Sequence, residues 1–423
     1  MYYSRYIEQE VRFVADHFKV VLLVGARQVG KSTLLKNMFP AIPCITFNPV
    51  DDVHNVRKDP GFFLQQFTGP VIFDEVQFAP ELLAYIKLKV DESPSMGQYF
   101  LTGSQNLSLL KTVAESMAGR VAIIELKPMI PYELKQAFTF SDQGIVPKHW
   151  LEHYLDDPLT LRQKCTKPLE TGPLIHTLWR GGYPGLITLP DTAVARYFDG
   201  YFQTYVDRDI RTLAAIDELR RFEDFVSILA VLTAQEINYS QLGREIDMNG
   251  KTAQRWLQFL LATYMWRDVP PYLGNLIKRV SRKRKGYFID TGLACKLMHI
   301  FAPEQLLSHP ASGALFETHV SNMIYAILQA LPFGAGFYHW RSNGGAEVDI
   351  VLHRGTVLYP IEVKMKSYVS KNDIRGIKAF QDTYRGTIRG MTVALGIVVY
   401  AGTDCYFVDE TVLAMPWNMM CKA

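Results

Sequence analysis

The stretch that most constrains this chain is Val20–Thr33, which reads VVLLVGARQVGKST. Its first five residues, Val20–Val24, are apolar, as expected of a short strand buried on both faces of a parallel sheet. The next eight, Gly25–Ser32, match the pattern G-x-x-x-x-G-K-S. A helix is predicted to begin near Leu34. Strand, loop and helix together indicate a phosphate-binding loop, because the loop amides and the helix N-terminus face the same anion.

The residue types within this loop suit a nucleoside triphosphate. Glycine lets the backbone turn back on itself. Lys31 is a point charge for the β- and γ-phosphates, and the Ser32 hydroxyl is a ligand for Mg²⁺. A glycine-containing turn that matches by chance is the alternative, but the flanking strand and helix argue against it. The predicted nucleotide contacts are Gly25, Ala26, Arg27, Gln28, Val29, Gly30, Lys31, Ser32 and Thr33.

Length and composition bound the remaining possibilities. At 423 residues the chain is too long for one ordinary core, so two to four domains are expected. A hydrophobic content of 48% with 21% charged residues describes a folded, water-soluble protein. The net charge of +3 is nearly neutral, so any nucleic-acid interaction must depend on local patches.

Cysteine usage and the N-terminal sequence predict a cytoplasmic protein. The five cysteines are scattered and include no CxxC pair, which favours a reducing compartment and disfavours a zinc site or a disulfide framework. The opening segment, MYYSRYIEQEVRFV, has neither the apolar core of a signal peptide nor the bias of a transit peptide. No run approaches the ~18 apolar residues of a membrane span, so no membrane association is expected.

A second predicted strand, Val71–Glu75, ends in two acids, which is the Walker B pattern. Asp74, at the carboxyl end of a central strand, would hold Mg²⁺ through water or through Ser32. Glu75 would orient and deprotonate the attacking water. A solvated strand end is the alternative, and the complete phosphate loop upstream favours the Walker B interpretation.

A third buried strand, Tyr99–Gln105, is predicted to end between the first two. Its polar end makes Ser104, with Thr102 second, a candidate sensor of the γ-phosphate or the water. The alternative, a serine that caps the next helix, stays open. Arg120 is a candidate arginine finger offered to a neighbouring subunit, which would imply a homo-oligomer. A surface arginine before the strand Val121–Glu125 is the other interpretation.

The middle of the chain predicts a DNA-binding or protein-binding module. Residues 136–215 are predicted to be a helical lid or linker. Beyond them, Ser240–Ile246 and Lys251–Leu261 read as two helices, followed by a strand, a basic loop and another strand, which is the layout of a winged helix. The loop cations are Lys278, Arg279, Arg282, Lys283, Arg284 and Lys285. If all six cations contacted phosphates, a plot of the logarithm of the nucleic-acid binding constant against the logarithm of salt concentration would have a slope of about −5. A protein-docking module with a solvated loop is the alternative.

The C-terminal part combines acids and a lysine in a pattern that suits phosphodiester hydrolysis. Glu317 lies on a predicted long helix, Gly313–Leu331. Asp349 lies on one predicted strand, and Glu362 and Lys364 lie on the next, on the same face. Two carboxylates can hold Mg²⁺, and a neighbouring lysine can orient or deprotonate a water. The alternative is a salt-bridged cluster in an inactive site.

These motifs resemble known families. Walker B in its DE form with a polar sensor strand is similar to the AAA-type ATPases, and the C-terminal pattern resembles the PD-(D/E)xK restriction-nuclease fold. Nearly the whole chain looks like a large bacterial and archaeal AAA-type ATPase family with a C-terminal domain of unknown function. The resemblance implies ATP binding and hydrolysis, and the fold implies possible DNA contact. Further matching segments are Gly181–Gly185, Arg208–Ile210, Tyr287–Leu293, Phe316–Glu317, Glu347–Ile350 and Ile361–Lys364.

Together these observations predict an α/β protein with the doubly wound parallel sheet of a P-loop NTPase. Its predicted parts are an ATPase core at 1–135, a helical lid or linker at 136–215, a winged helix at 216–292 and a nuclease-like α/β domain at 300–423. The predicted activity is Mg²⁺-dependent hydrolysis of ATP to ADP and phosphate, coupled to remodelling of DNA or a partner protein. The alternatives are a nucleotide-switched scaffold with an inactive nuclease-like domain, and an active nuclease.

Overall fold

The computed structural model describes residues 2–47, 53–104, 117–141, 144–206, 210, 219–273, 283–385 and 390–422. Some predictions fall outside these ranges. They concern Gln105, Arg208, Asp209, Lys278, Arg279 and Arg282. One cluster of buried apolar side chains extends from Tyr6 to Cys421, so the described parts share a core. None of the described helices combines the length and the apolar character needed to cross a membrane.

A five-stranded parallel sheet forms the first part of the chain, which confirms the predicted α/β class. Its strands are β1 Val20–Val24, β2 Cys44–Thr46, β3 Val71–Asp74, β4 Tyr99–Gly103 and β5 Val121–Glu125. Their spatial order is β2-β3-β4-β1-β5. Strand β4 therefore lies between β3 and β1, as predicted, and every residue of these three strands is buried. The carboxyl ends of all three meet at one edge, where ligands of parallel sheets bind.

The helices of this part connect the strands. They are α1 Glu8–His17, α2 Lys31–Met38, α3 Val53–Lys58, α4 Pro60–Gln65 and α5 Leu82–Glu92. Helix α1 buries Val11 and Val14 and exposes Arg12 and Phe13, so it covers the core with one face. Helix α2 follows Gly30, whose φ of 96° only glycine adopts readily.

The following region is less helical than predicted. Its helices are α6 Pro131–Leu134, α7 Trp150–Asp156, α8 Leu161–Lys164, α9 Leu174–Arg180 and α10 Asp191–Tyr205. It also contains a hairpin of β6 Thr139–Ser141 and β7 Gly144–Val146, and a strand, β8 Cys165–Pro168. Strand β8 pairs with residues near the C-terminus. The structure thus adds three short strands to the region predicted as a helical lid or linker. Strand β8 was not predictable, because its partner is too distant in sequence for local periodicity to reveal it.

Three helices and a small antiparallel sheet follow, and the second and third helices lie close to the predicted boundaries. The helices are α11 Leu219–Val231, α12 Tyr239–Glu245 and α13 Gly250–Ala262, and the strands are β9 Gln235–Glu236, β10 Trp266–Val269 and β11 Lys285–Phe288. The side chain of Asn249 caps α13 by accepting from Thr252 N at 2.8 Å. Trp256 of α13 packs edge-on against Phe222 and Phe225 of α11. The sheet order is β10-β11-β9.

A mixed sheet dominates the C-terminal part. Its helices are α14 Thr291–Leu297, α15 Ser312–Ala330 and α16 Arg375–Tyr384. Its strands are β12 Gly336–Arg341, β13 Glu347–Arg354, β14 Val357–Lys364, β15 Thr392–Val393, β16 Gly396–Tyr400, β17 Tyr406–Asp409 and β18 Val412–Pro416. The order is β12-β13-β14-β16-β18-β17, with β15 beside β14. The final strand, β19 Met419–Cys421, pairs with β8.

Candidate functional site

The predicted phosphate loop joins β1 to α2 and has the backbone that its glycines predict. Gly25, Gln28 and Gly30 have φ values of 141°, 59° and 96°. A Cβ atom at Gly25 would lie 2.3 Å from the carbonyl oxygen of Leu126, so only glycine fits where the loop leaves the sheet. The loop therefore lies at the carboxyl edge of the parallel sheet.

Lys31 holds its amine over the first residues of the loop. Its Nζ donates to the carbonyl oxygens of Gly25 at 3.0 Å and Ala26 at 2.8 Å. The side chain is only 5% exposed. A charge fixed inside the loop is well placed to meet the β- and γ-phosphates of a nucleotide.

Asp74 at the end of β3 is held by hydroxyl groups from three elements. Ser32 Oγ and Thr102 Oγ1 each donate to its Oδ1 at 2.5 Å, and Thr46 Oγ1 donates to its Oδ2 at 3.2 Å. Ser32 and Asp74 together offer the adjacent hydroxyl and carboxylate oxygens that Mg²⁺ prefers. The residues present thus fit the ion that the sequence predicted.

Glu75 adopts a left-handed backbone with φ of 59°, which is uncommon for a non-glycine residue and concentrates at functional sites. Its backbone N donates to Thr102 Oγ1 at 3.0 Å. Its carboxylate accepts from Gln77 Nε2 and, at 3.4 Å, from Ser104 Oγ. The structure therefore brings Glu75 and Ser104 together.

Two residues beside Glu75 have contacts that the sequence did not reveal. Thr102, ranked second to Ser104, bridges the carboxylate of Asp74 and the backbone of Glu75. Gln77 contacts Glu75 and also donates to Ser104 Oγ at 3.3 Å. The signal for Thr102 was its place on a strand predicted to lie between the other two. Gln77 had no comparable signal, because it follows the strand in a single short 3₁₀ turn, Val76–Phe78.

Arg5 holds the backbone of the phosphate loop through hydrogen bonds to carbonyl oxygens. No local sequence pattern indicates this role. Its Nη1 donates to the carbonyl oxygen of Val29 at 2.9 Å, and its Nη2 donates to that of Lys127 at 2.6 Å. Its Nε pairs with Glu133 at 3.1 Å, and the side chain is buried. The N-terminal segment thereby ties the loop to the segment that follows β5.

Two of the segments that match the resembled family, Gly181–Gly185 and Tyr287–Leu293, serve as its markers. The first marker, Gly181–Gly185, is a turn that packs beside the phosphate loop. A side chain at Gly30 would reach Pro184 Cγ at 3.9 Å. From α10, Tyr197 donates its hydroxyl to Gln28 Oε1 at 2.9 Å. The turn and α10 therefore both lie against the loop.

Asp290 interlocks this turn with the second marker, Tyr287–Leu293. Its carboxylate accepts from Gly182 N at 2.7 Å and from Leu293 N at 2.9 Å. Burial raises the pKa of Asp290 to about 6. A Cβ at Gly181 would lie 2.3 Å from Asp290 Oδ1, so the marker glycine is needed for this close approach. The two markers thus form one contact.

Arg120 lies at the opposite edge of the sheet from the phosphate loop. Its carbonyl oxygen accepts from Val20 N at 3.1 Å, at the amino end of β1. Its guanidinium pairs with Asp91, through Nη2 at 3.2 Å and through Nε. Arg120 is therefore not part of the nucleotide site of its own chain, and a role towards a neighbouring subunit stays a prediction.

The structure brings together the four residues predicted to form a site in the C-terminal part, and this group is called the C-terminal centre. Its members are Glu317, Asp349, Glu362 and Lys364. Asp349 on β13 accepts from Val363 N at 2.9 Å, which places it beside Glu362 on β14. Lys364 Nζ donates to Glu362 Oε1 at 2.5 Å. Glu317 on α15 completes the group, within electrostatic reach of Asp349.

A fifth residue, Lys285, occupies the middle of this centre. Its Nζ lies 2.6 Å from Glu317, 3.0 Å from Asp349 and 3.1 Å from Glu347, and the residue is 2% exposed. The prediction that Lys285 belongs to an exposed basic loop is therefore wrong. It is the first residue of β11, and its side chain turns into the carboxylates instead of towards solvent. Lys283 and Arg284, just before it, are exposed.

The charges in this centre stabilise one another. Burial alone would lower the pKa of Lys285, but Tyr287 and the carboxylates around it raise that pKa well above its ordinary value. Burial opposes the ionisation of Asp349, yet Lys285 and Lys364 lower its pKa. Burial and the nearby Asp349 raise the pKa of Glu317 to about 8. Asp349 is thus more firmly ionised than Glu317.

Comparison with protein families agrees with the geometry of the N-terminal part. Residues 17–135 match the family model described as an AAA domain. The N-terminal part of this chain is an AAA-type P-loop ATPase domain. After the ATPase domain, residues 173–304 match a domain of unknown function, DUF8612, and residues 312–420 match another, DUF4143. Neither description states a function, so the resemblance of the C-terminal part to nucleases stays a prediction.

Individual proteins similar to this chain are themselves uncharacterised or distant. The uncharacterized proteins Rv2008c of Mycobacterium tuberculosis and Mb2031c of Mycobacterium bovis are each 28% identical over 402 residues, which is 94% of this chain and 80% of each relative. The Walker-type ATPase PABY2304 of Pyrococcus abyssi is similar with a TM-score of 0.38 and 18% identity, and the match covers 69% of this chain and 94% of the PABY2304 chain. The RuvB Holliday junction branch migration motor of Thermotoga maritima has a TM-score of 0.28 and 14% identity, and the match covers 62% of this chain and 89% of the RuvB chain.

Proposed function

We propose that this protein is a Mg²⁺-dependent ATPase that hydrolyses ATP to ADP and phosphate. The observation that carries the proposal is a hydrogen-bonded path from Ser32 through Asp74 and Thr102 to Glu75. It joins the phosphate loop, the metal-binding oxygens and the carboxylate base at one edge of the sheet. Phosphoryl transfer needs these groups to be positioned together, because little covalent chemistry is left for the protein to do.

Each residue has a defined role in this proposal. The loop amides and the Lys31 ammonium bind the phosphates and neutralise charge on the β- and γ-oxygens. Ser32 and Asp74 would hold Mg²⁺, which supplies further neutralisation of the triphosphate. Glu75 orients the attacking water and accepts its proton, while Thr102 fixes the backbone of Glu75. Ser104 contacts that carboxylate and links its position to the end of β4.

The test is steady-state ATP hydrolysis by the purified chain and its variants. Glu75→Gln should lower kcat by about 10²–10³ while ATP affinity is kept, because a general base supplies roughly that factor. Lys31→Ala should weaken ATP binding itself. Glu81→Gln is the matched control, since Glu81 is a partly exposed residue paired with Arg57 at the surface. Normal turnover in Glu75→Gln would refute the role of Glu75.

We further propose that turnover is coupled to a nucleic-acid contact made by the region of α12, α13 and β11, taken as a winged helix. Exposed Lys283 and Arg284 border a polar cavity of about 810 Å³ that Gln254 and Gln258 of α13 also line. Cations beside amide side chains suit a phosphate backbone with adjoining bases. Duplex or single-stranded DNA should therefore raise ATP turnover, and the stimulation should fade at higher salt.

The second candidate is a nucleotide-switched scaffold that binds a protein partner. The observation that favours it is Lys285, which leaves the basic loop and fills the C-terminal carboxylate centre. Slow ATP turnover that ignores DNA at both salt concentrations would favour this candidate over the first. In either case Asp290 connects the ATPase domain to the region of β11, because Asp290 is hydrogen-bonded to Gly182 beside the loop.

A further inference from the structure

The C-terminal centre has the residue types of a divalent-cation site, yet the arrangement does not fit a metal ion. With the carboxylates arranged around the amine of Lys285, no group of three or more histidine, cysteine, aspartate or glutamate side chains among the described residues is placed to hold one. We infer that Lys285 is the resident cation of this centre. Its ammonium occupies the space between the carboxylates, so the centre is closed to divalent metal while β11 remains docked.

The ammonium is fully used where it lies. Lysine has three N–H donors and no acceptor. Three carboxylates lie within salt-bridge distance of this one nitrogen, from Glu317 at 2.6 Å, Asp349 at 3.0 Å and Glu347 at 3.1 Å. They come from α15 and β13, so the amine is enclosed from two elements of the C-terminal part.

A metal ion and this amine cannot share the centre. Mg²⁺ needs its oxygens at about 2.0–2.1 Å in near-octahedral geometry. An ammonium already contacts Glu317 and Asp349 at hydrogen-bond distance, and a second cation there would be repelled by it. The other lysine, Lys364, pairs with Glu362 at 2.5 Å. Each of these carboxylates is therefore already paired with an ammonium group from within the chain.

The position of Lys285 is fixed by the strand that carries it. Within β11, Lys285 pairs with Val269 of β10 and with Glu236 of β9. Residues two apart on a strand share a face. Accordingly Tyr287, two residues on, donates its hydroxyl to Glu317 at 2.6 Å. The strand thus presents both groups to the same carboxylate.

A second contact holds the same hairpin against the C-terminal sheet. After β10, the backbone N of Tyr272 donates to the carbonyl oxygen of His339 at 2.6 Å, and His339 N donates to that of Pro270 at 3.1 Å. His339 lies on β12, the edge strand next to β13. Undocking this hairpin would withdraw Lys285 and leave Asp349 and Glu317 without their cation.

The first test replaces the ammonium with an apolar group of similar length, Lys285→Met. Thermal unfolding and Mn²⁺ binding by electron paramagnetic resonance are measured without nucleotide, so the result does not depend on ATP hydrolysis. The wild type and the matched control Lys283→Met should show no Mn²⁺ site that depends on Asp349. Lys285→Met should unfold at a lower temperature, gain one Mn²⁺ site and recover stability with millimolar Mn²⁺.

The double variant Lys285→Met, Asp349→Asn defines where the ion binds. It should lose both the new Mn²⁺ site and the recovery of stability, because Asp349 lies 3.0 Å from the nitrogen whose place the ion would take. An Asp349-dependent Mn²⁺ site in the wild type would overturn the inference. So would a Lys285→Met protein that gains no Mn²⁺ site.

A second measurement uses the wild-type protein and needs no variant to fold. Amine-specific acetylation followed by mass spectrometry compares Lys285 with exposed Lys283 in the same molecule. The inference requires Lys285 to react at least tenfold more slowly, because its amine is buried and bonded. Equal labelling of the two lysines would show that the amine is not resident in the centre.

Discussion

The phosphate loop and the C-terminal centre are built from the same kinds of residue with opposite results. In the ATPase domain, Lys31 reaches backbone carbonyls while Asp74 is held by hydroxyl groups. In the C-terminal centre, Lys285 reaches Asp349 directly. All four side chains are buried. Burial and residue type therefore do not separate the two sites.

The donor that each carboxylate meets is what separates them. A hydroxyl satisfies a buried carboxylate by hydrogen bonding and leaves its negative charge available. An ammonium satisfies and neutralises it at once. Asp74 can therefore still attract a cation, whereas Asp349 already has one. A carboxylate cluster in a sequence should be judged by which donors can reach it, including donors from other parts of the chain.

The largest expected difference between the two regions comes from matched substitutions at Asp74 and Asp349. Asp74→Asn should reduce ATP turnover by about 10²-fold or more, since a charge that would neutralise the triphosphate through Mg²⁺ is lost. Asp349→Asn should leave turnover within about twofold. It should instead lower the free energy of unfolding by about 3 kcal/mol, because buried Lys285 loses one of the carboxylates that pair with it.

Steady-state kinetics and chemical denaturation of the two variants check this contrast. Each variant is the control for the other, because both replace a buried aspartate with the same amide. If Asp349→Asn lowered turnover as strongly as Asp74→Asn, the two regions would not be functionally separate.

Asp290 is a third kind of buried carboxylate, one held by the backbone amides of Gly182 and Leu293. Burial raises its pKa to about 6 from an ordinary 3.8. Between about pH 3.8 and pH 6, the folded state therefore keeps a proton on Asp290 that the unfolded state releases. This proton adds at most about 3 kcal/mol to the free energy of unfolding. The contribution is complete below about pH 3.8 and is lost as the pH rises through 6.

Denaturation of wild type and Asp290→Asn at pH 4 and pH 6.5 tests this dependence. The wild type should lose more stability across this range than the variant does, since the amide does not titrate. Exposed Asp16 supplies the control, Asp16→Asn, which should follow the wild type. Parallel pH curves for wild type and Asp290→Asn would contradict the raised pKa.

Local pattern was enough to predict the ATPase domain. An apolar run, a glycine loop and strands that end at Asp74 or just before Ser104 each depend on a few neighbouring residues, and parallel strands bring their ends to one edge. The strands and the long helix of the C-terminal part were also predictable, because their periodicity is strong. Asp349 and Glu362 were therefore placed correctly beside each other.

Contacts between distant segments were not predictable. Strand β8 looks polar and irregular until its partner β19 is known. Lys285 follows a run of cations, and nothing local distinguishes it from exposed Lys283. Its burial depends on Glu317 and Asp349, which lie on other elements. The sequence could show that these charges exist but not which ones would meet.

A smaller effect is expected at the hydroxyls that hold Asp74. Thr102→Val removes the group that donates to Asp74 and accepts from Glu75 N, leaving that amide unpaired. A cost of about 1–2 kcal/mol in positioning corresponds to a loss of roughly tenfold or more in kcat. Thr46→Val, which removes one longer bond of 3.2 Å, should cost only a few-fold. Equal losses in the two variants would mean that Thr102 has no special link to Glu75.

The smallest effect on ATP turnover is expected at Arg120. Its carboxylate partner, Asp91, belongs neither to the group around Asp74 nor to the C-terminal centre. Asp91 is a surface residue, and the pair lies at the edge of the sheet away from the phosphate loop. Arg120→Ala should therefore change ATP turnover by less than about twofold at every protein concentration. An arginine finger given to a neighbouring subunit would instead be worth about 10³–10⁵ in kcat. A large loss of kcat in Arg120→Ala, seen only at concentrations where the wild type self-associates, would instead place Arg120 in the nucleotide site of a neighbouring subunit. Its cationic group would then act across a subunit contact, unlike Lys31 and Lys285, which act within their own chain.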